Sequence, residues 1–242
     1  MQNNQFIRPA RVLGVIAAME EELETLLAAM EIQETREIAG TRFHVGALSG
    51  RPAVAVRCGI GKVNAGACAQ VLITVFGAQA IVNTGAAGSL CADIDIGDLV
   101  VSTDAVQHDM DVVAFGYPLG EVPGAGVTAF PADEALRAQA AAAARVAAPE
   151  CRVFEGRVCS GDQFIASESR KRDIAAKFNG LCCEMEGAAI AQVCWQNRVP
   201  FVILRAISDK AGEKSEISFD QFLAVAAKRS AATVLELARV AE

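Results

Sequence analysis

The sequence predicts a single α/β domain on a largely parallel sheet, and three observations carry that prediction. Short apolar runs bounded by Gly or Asp alternate from end to end with segments of helical period. Hydrophobic residues make up 52% and charged residues 21%, with only 7 Pro, which excludes a disordered or low-complexity chain. No linker breaks the pattern, and 242 residues suit one α/β core.

Taken in order, the apolar runs give strands at 12–17 (VLGVIA), 42–48 (RFHVGAL), 53–57 (AVAVR), 80–84 (AIVNT), 98–106 (DLVVSTDAV), 152–160 (RVFEGRVCS), 180–183 (GLCC) and 201–206 (FVILRA). Helix-period segments fall between and after them, at 20–30, 62–76, 133–148, 167–177, 186–196 and 218–241. The stretch 108–130 carries four Gly and two Pro among aromatic residues and reads as a long functional loop. Residues 1–10 form an N-terminal extension, and 11–242 the domain. No internal repeat is visible.

Charge and cysteine usage exclude several classes. Lys plus Arg number 22 against 29 Asp plus Glu, a net charge of −7 with no basic cluster, so nucleic acid is not an expected partner. VLGVIAAM runs directly into three glutamates where a signal peptide needs a small-residue cleavage site, and no apolar run reaches the ~18 residues of a membrane span. A cytoplasmic location with no membrane partner is expected. The eight cysteines contain no C-x-x-C and lie within apolar patterns, as small core residues in a reducing compartment do; Cys182–Cys183 could form a strained vicinal disulfide, but a buried strand is the better reading. With only His44 and His108, no cluster has zinc-ligand spacing, so no metal is expected.

Ligands in such sheets bind beyond the carboxyl ends of strands. Three strand ends become candidates, AAMEEE at 17–22, NTGAAGSL at 83–90 and RAISDKAG at 205–212, with the helix start CEMEGAA at 183–189 as a fourth. Carboxylates in a first helical turn are favoured by the helix dipole, which accounts for two of Glu20, Glu21 and Glu22. Successive helix positions point about 100° apart, so at least one of the three should face the crevice. CGIGKVNAG at 58–66 satisfies neither the dinucleotide fingerprint nor the P-loop; its glycines serve a tight turn that projects Ile60 into the crevice. No G-x-S-x-G occurs. The remaining set is Glu22, Glu184, Glu186 and Asp209 with Arg205 and Ser208, and acids without metal or histidine suit proton transfer to and from a substrate.

AAMEEELETLL, CGIGKVNAG, VNTGAAGSL, GDLVVSTDAVQHDMDVVAFGYPLGEVPG, SGDQFIAS, CEMEGAAIAQVC, VPFVILRAISDKA and SFDQFLAVAAK resemble, in that order, motifs of the 5′-methylthioadenosine/S-adenosylhomocysteine nucleosidases of the purine nucleoside phosphorylase-like superfamily. The resemblance runs from about residue 12 to 240 and implies a mixed twisted sheet flanked by helices, no cofactor, and a homodimer. The implied reaction is hydrolysis of the N-glycosidic bond of adenine thionucleosides, in methionine salvage and the activated methyl cycle. Asp209 would protonate purine N7, with Ser208 holding its carboxyl group, and Glu22 would activate water. Glu186 and the Met185 backbone would bind ribose hydroxyls, with Arg205 near Glu186. Phe164 would stack on adenine, the Ile165 backbone would read its edge, and Ala86, Ala87 and Gly88 would lie beneath the nucleoside. From the loop, Val112, Phe115 and Pro123 would join the site, Phe115 and Pro123 over the neighbouring subunit's 5′-thioalkyl slot beside its Ile60 and Phe219.

The chemistry gives these expectations a physical basis. Cleaving C1′–N9 builds positive charge on the ribose and negative charge on the purine, so an acid at N7 and anions near the sugar act in the transition state. A general acid must hold a proton, which burial and neighbouring carboxylates favour. A helix cap, or an ion pair with Lys210, would be the purely structural account of Asp209. Gln163 and Gly187 stand where members of the family vary, and they bear on substrate preference. The strand end MEEE would repel phosphate, in contrast to the basic cradles of the phosphorylases. Two alternatives stay open: a nucleosidase for another adenine nucleoside such as 6-amino-6-deoxyfutalosine, and a non-catalytic nucleoside-binding protein, which the presence of Glu22, Glu186 and Asp209 disfavours.

Overall fold

The computed structural model describes residues 12–210 and 215–240; the expected extension over 1–10 lies outside them. In chain order the elements are β1 (Leu13–Ala17), α1 (Glu20–Ala28), β2 (Met30–Ile38), β3 (Thr41–Leu48), β4 (Arg51–Arg57), α2 (Lys62–Thr74), β5 (Ala80–Ser89), β6 (Leu99–Gln107), β7 (Phe130–Pro131), α3 (Glu134–Ala147), β8 (Val153–Ser160), α4 (Glu168–Phe178), β9 (Gly180–Glu184), α5 (Gly187–Asn197), β10 (Phe201–Asp209) and α6 (Ser215–Val240). Every expected strand and helix is present, with ends shifted by a few residues. The long loop forms one 3₁₀ turn, Val113–Phe115.

The strands make one mixed sheet in the order β10-β6-β8-β9-β5-β1-β4-β3-β2, with β7 on β6. β10 also pairs with β5, so β5, β10, β6, β8 and β9 close on themselves while β1, β4, β3 and β2 extend outward. β1 is parallel to both β4 and β5, and β5 is parallel to β10. Both sheet faces are covered, which is why β1 reads as a nearly continuous apolar run. Leu13, Val15 and Ala17 join a core with Leu23 and Leu26 of α1, Leu136 of α3 and Val234 and Leu237 of α6. Ile16 turns the other way, toward Leu72 of α2 and Ile190 of α5.

Two differences from the expected elements have clear causes. β2 was not expected, because MEIQETREI is exposed at nearly every position and carries no apolar alternation. It exists through its pairing with β3, in a hairpin whose two-residue turn, Ala39 and Gly40, has φ of 51° and 74°. Positive φ at both turn residues matches the twist of the flanking strands. Its charged side chains also protect an outer strand from pairing with other chains. Second, β5 and β10 continue past 84 and 206, to Ser89 and Asp209. NTGAAGS has too little apolar bulk to read as strand, yet its backbone pairs with β10 as far as Gly88.

All eight cysteines are free thiols, Cys182 and Cys183 included. Among the described residues, no helix is long and apolar enough to cross a membrane.

Candidate active site

The parallel neighbours β1, β5 and β10 end side by side, and β9 ends against them through the Gly88–Cys183 pair. Glu22 lies in the first turn of α1, directly after β1. Glu20 and Glu21 are exposed, Glu20 pairing with Arg57 at 3.1 Å, while Glu22 is buried. One Glu22 oxygen accepts the backbone N–H groups of Ala18 at 2.9 Å and Met19 at 3.1 Å; the other accepts that of Ala86 at 3.0 Å. Burial raises its pKa above the usual carboxylate value, and Arg205 and the three N–H groups only partly offset this.

Glu186 stands at the start of α5 and accepts the backbone N–H of Gly61 at 2.9 Å. This gives the glycine of CGIGK its function: at φ 99° Gly61 turns its N–H onto a carboxylate more than a hundred residues away. Burial first, then the nearby Glu184, push Glu186 up to about 7, against the opposing pull of Arg205.

Arg205 was expected beside Glu186, but its main partner is Glu184. Its guanidinium is ion-paired directly with Glu184 and lies 3.9 Å from Glu186. Glu184 is further held by the Ser160 hydroxyl and by the backbone N–H groups of Glu186 at 3.1 Å and Gly187 at 2.8 Å. Glu184 is thus a buried clamp that fixes the start of α5 and, with it, Glu186.

Asp209 ends β10 with 2% exposure. The Ser208 hydroxyl donates to its Oδ1 at 3.0 Å, as expected. Glu22, Glu184 and Glu186 line the same cavity as Asp209, as expected; not expected is the ammonium of Lys171, from α4, which donates to Asp209 Oδ2. The alternative ion pair with Lys210 is not made; Lys210 pairs with Asp95 at 2.5 Å.

The acids border a cavity of about 350 Å³ lined by Glu22, Ile60, Ala86, Ala87, Gly88, Phe164, Met185, Glu186, Ser208, Asp209 and Phe219. Phe164 and Phe219 meet edge to face at its mouth, 5.6 Å apart. Ile165 lines a small adjoining recess with Gly88 and Asp209, and Arg205 lies beneath the cavity rather than in its wall. Ala18, Met19 and Cys183, which fall within the candidate stretches but were given no role, also line it, as does Glu184; Glu184 was legible as a strand-end acid, but not as a clamp. Val112, Phe115 and Pro123 do not reach this cavity within the chain. Phe115 is 81% exposed, and Pro123 borders a separate hollow of about 720 Å³ with Trp195 and Pro200.

A mixed α/β sheet with acids gathered at its strand ends is the architecture of a nucleoside-cleaving domain, and the phosphorylase superfamily model matches residues 12–239. The 5′-methylthioadenosine/S-adenosylhomocysteine nucleosidase of Geobacillus thermodenitrificans is 45% identical over 230 residues, 95% of this chain and 97% of that protein. The structure of the enzyme of that name from Neisseria meningitidis, in complex with methylthio-immucillin-A, superposes with a TM-score of 0.91 at 41% identity, covering 95% of this chain and 99% of the other. The futalosine hydrolase of Helicobacter pylori superposes at 0.88 with 35% identity, over 94% and 97%. The chain belongs to the 5′-methylthioadenosine/S-adenosylhomocysteine nucleosidase family of the phosphorylase superfamily.

Proposed function

We propose that this protein hydrolyses the N-glycosidic bond of 5′-methylthioadenosine and S-adenosylhomocysteine, releasing adenine and the 5-thioribose product. The observation that carries the reading is the convergence of Glu22, Glu186 and Asp209 on one cavity at the strand ends. Three acids brought together there, one held by three N–H groups and another pushed up to about 7, are a proton-handling apparatus.

In this reading the purine lies over Ala86, Ala87 and Gly88 with Phe164 against its face, and the Ile165 backbone reads its edge. Asp209, oriented by Ser208, donates a proton to N7, so the C1′–N9 electron pair leaves onto a neutral base. Glu186 and the Met185 backbone hold the ribose hydroxyls, with Glu186 near the sugar as it becomes cationic. Glu22 is the base that takes a proton from the attacking water; its raised pKa makes it a stronger base than an exposed carboxylate. Arg205 acts from below through Glu184. The 5′-alkylthio group extends toward Ile60 and Phe219, where apolar contact contributes about 0.8 kcal/mol per methylene buried.

The exposed loop supports the further proposal of a homodimer. Phe115, exposed together with Val113 and Tyr117, makes an apolar patch of the kind that marks an interface or binding groove. Phe115 and Pro123, with Val112, would cover the neighbouring subunit's 5′ slot.

Likeness to the H. pylori futalosine hydrolase favours a second reading, cleavage of 6-amino-6-deoxyfutalosine by the same acids. One panel tests both: methylthioadenosine, S-adenosylhomocysteine, 5′-deoxyadenosine, aminodeoxyfutalosine and inosine, each with and without phosphate. Adenine release independent of phosphate, with inosine poor, is the expected outcome. A sugar 1-phosphate product, or a rate that vanishes without phosphate, would overturn the hydrolytic reading.

A further inference from the structure

α4 turns Lys171, Ile174 and Phe178 inward, positions i, i+3 and i+7 of an amphipathic helix. Ile174 and Phe178 are the apolar residues such a stripe calls for; Lys171 is not. Its side chain is 1% exposed, and the partner Asp209 carboxylate is 3% exposed. Lys171 also stands in the first turns of its helix, the end where the backbone dipole opposes a cation. Replacing a buried ion pair by apolar residues is often neutral or stabilising, so packing alone does not account for this lysine. Breaches of local pattern of this kind concentrate at functional sites.

The backbone makes room for the pair. A Cβ on Gly88 would lie 2.9 Å from Asp209 Oδ2 and 3.2 Å from Lys171 Nζ, so the bare backbone of β5 lets both groups rest against it. Other charged groups surround the pair in defined partnerships. On α4, Arg170 bonds Gln163 and Arg172 pairs with Glu168. From β9, Glu184 is held by Arg205 of β10, while the Cys183 thiol is pushed up to about 12 by burial, with Lys171 pulling the other way. Glu22 and Glu186 line the same cavity as Asp209.

We propose that Lys171 is a positioning residue that supplies Asp209 with the proton it hands to the purine, an inference that rests on the nucleosidase reading above. In the resting pair the ammonium holds the proton. During cleavage a proton moves from Nζ to the Asp209 carboxylate and the carboxyl proton moves to N7, as the C1′–N9 electron pair passes to the base. The electrons of the broken N–H bond remain on Nζ as the lone pair of a neutral amine, which solvent reprotonates after the products leave. Acid catalysis then persists at pH values where an isolated aspartic acid has lost its proton.

The test is kcat/KM for adenine release from methylthioadenosine between about pH 5 and about pH 10, in wild type, K171M and K171R. K171M should lose least at the acid end of this range, where solvent protons are most available to replace the one Lys171 supplies. Near pH 9 it should lose about 10²-fold, the usual contribution of general acid catalysis, with the basic limb moved to lower pH. K171R should not restore that limb, because a guanidinium keeps the charge but does not release its proton. A K171M limb that stays in place or moves to higher pH, or a wild-type profile in K171R, would show that Lys171 is only a charge partner. Circular dichroism melts establish folding, and K171Q, with the same expected profile, replaces K171M if that variant does not fold. Wild type that releases no adenine defeats the nucleosidase reading itself; active wild type with an unmoved variant limb defeats only the role of Lys171.

Discussion

Glu22 on α1 accepts the backbone N–H of Ala86 on β5 at 3.0 Å, across 64 residues of sequence. Its other oxygen is taken by Ala18 and Met19, so both oxygens are oriented by backbone. A glutamine at this position has one accepting oxygen for donors on both sides and no basic carboxylate. Glu22→Gln should therefore lower turnover by about 10²–10⁴-fold with the fold intact. Turnover within a factor of a few of wild type, in protein shown folded by circular dichroism, would remove Glu22 from the mechanism.

Asp209→Asn replaces the proposed acid with an amide that has no acidic proton to give N7. Single-turnover adenine release should fall by a similar ~10²–10⁴-fold, while the inhibitor methylthio-immucillin-A, bound by the N. meningitidis relative, should still bind. Near-normal release would assign the acid elsewhere.

Glu186 ties stability to pH. Its folded-state pKa of about 7 lies above its ordinary 4.5, so the folded protein binds this proton more tightly than the unfolded chain. That contribution is fully present below about pH 4.5 and is lost as pH rises through about 7. Glu186→Gln, neutral throughout, should melt higher than wild type at pH 8, by about 2–4 °C for each kcal/mol relieved, and close to it at pH 4.5. The same variant should show a raised KM for methylthioadenosine through lost ribose contacts. A melting difference that does not vary with pH would contradict the linkage.

Arg205→Met should be among the most destabilising single changes at the site, because it leaves the buried Glu184 without its cation. Breaking a buried pair from one side typically costs about 3–5 kcal/mol. Urea midpoints measure it, and Arg205→Met with Glu184→Gln should recover part of the loss. A single variant as stable as wild type would mean that the clamp contributes little.

Phe115→Ala tests the loop. If Phe115 covers the neighbouring subunit's slot, the variant should weaken binding of methylthioadenosine more than of adenosine and loosen the dimer in light scattering. A fully active monomer, or an unchanged preference between the two nucleosides, would show that the loop has no such part.

The sequence by itself determined the fold class, the family and the candidate acids. Strand periodicity and strand-end position bring out Glu22, Glu184, Glu186 and Asp209, because a carboxylate at the end of an apolar run is a local contradiction visible in one dimension; the family resemblance, not position, gives Glu22, Glu186 and Asp209 their separate roles. Ile60 and the glycine-rich turn at 58–61 were legible for the same reason. Tertiary structure alone decided β2, whose polar residues become a strand only against β3. It also decided which charges meet: Arg205 with Glu184 rather than chiefly Glu186, Lys210 with Asp95 rather than Asp209, and Lys171 with Asp209. Hydrophobic period records which side of an element is buried, but ion pairing depends on how separate elements are brought together. Lys171 and Asp209 lie 38 residues apart on a helix and a strand, and nothing in either segment encodes the distance between them until the sheet closes.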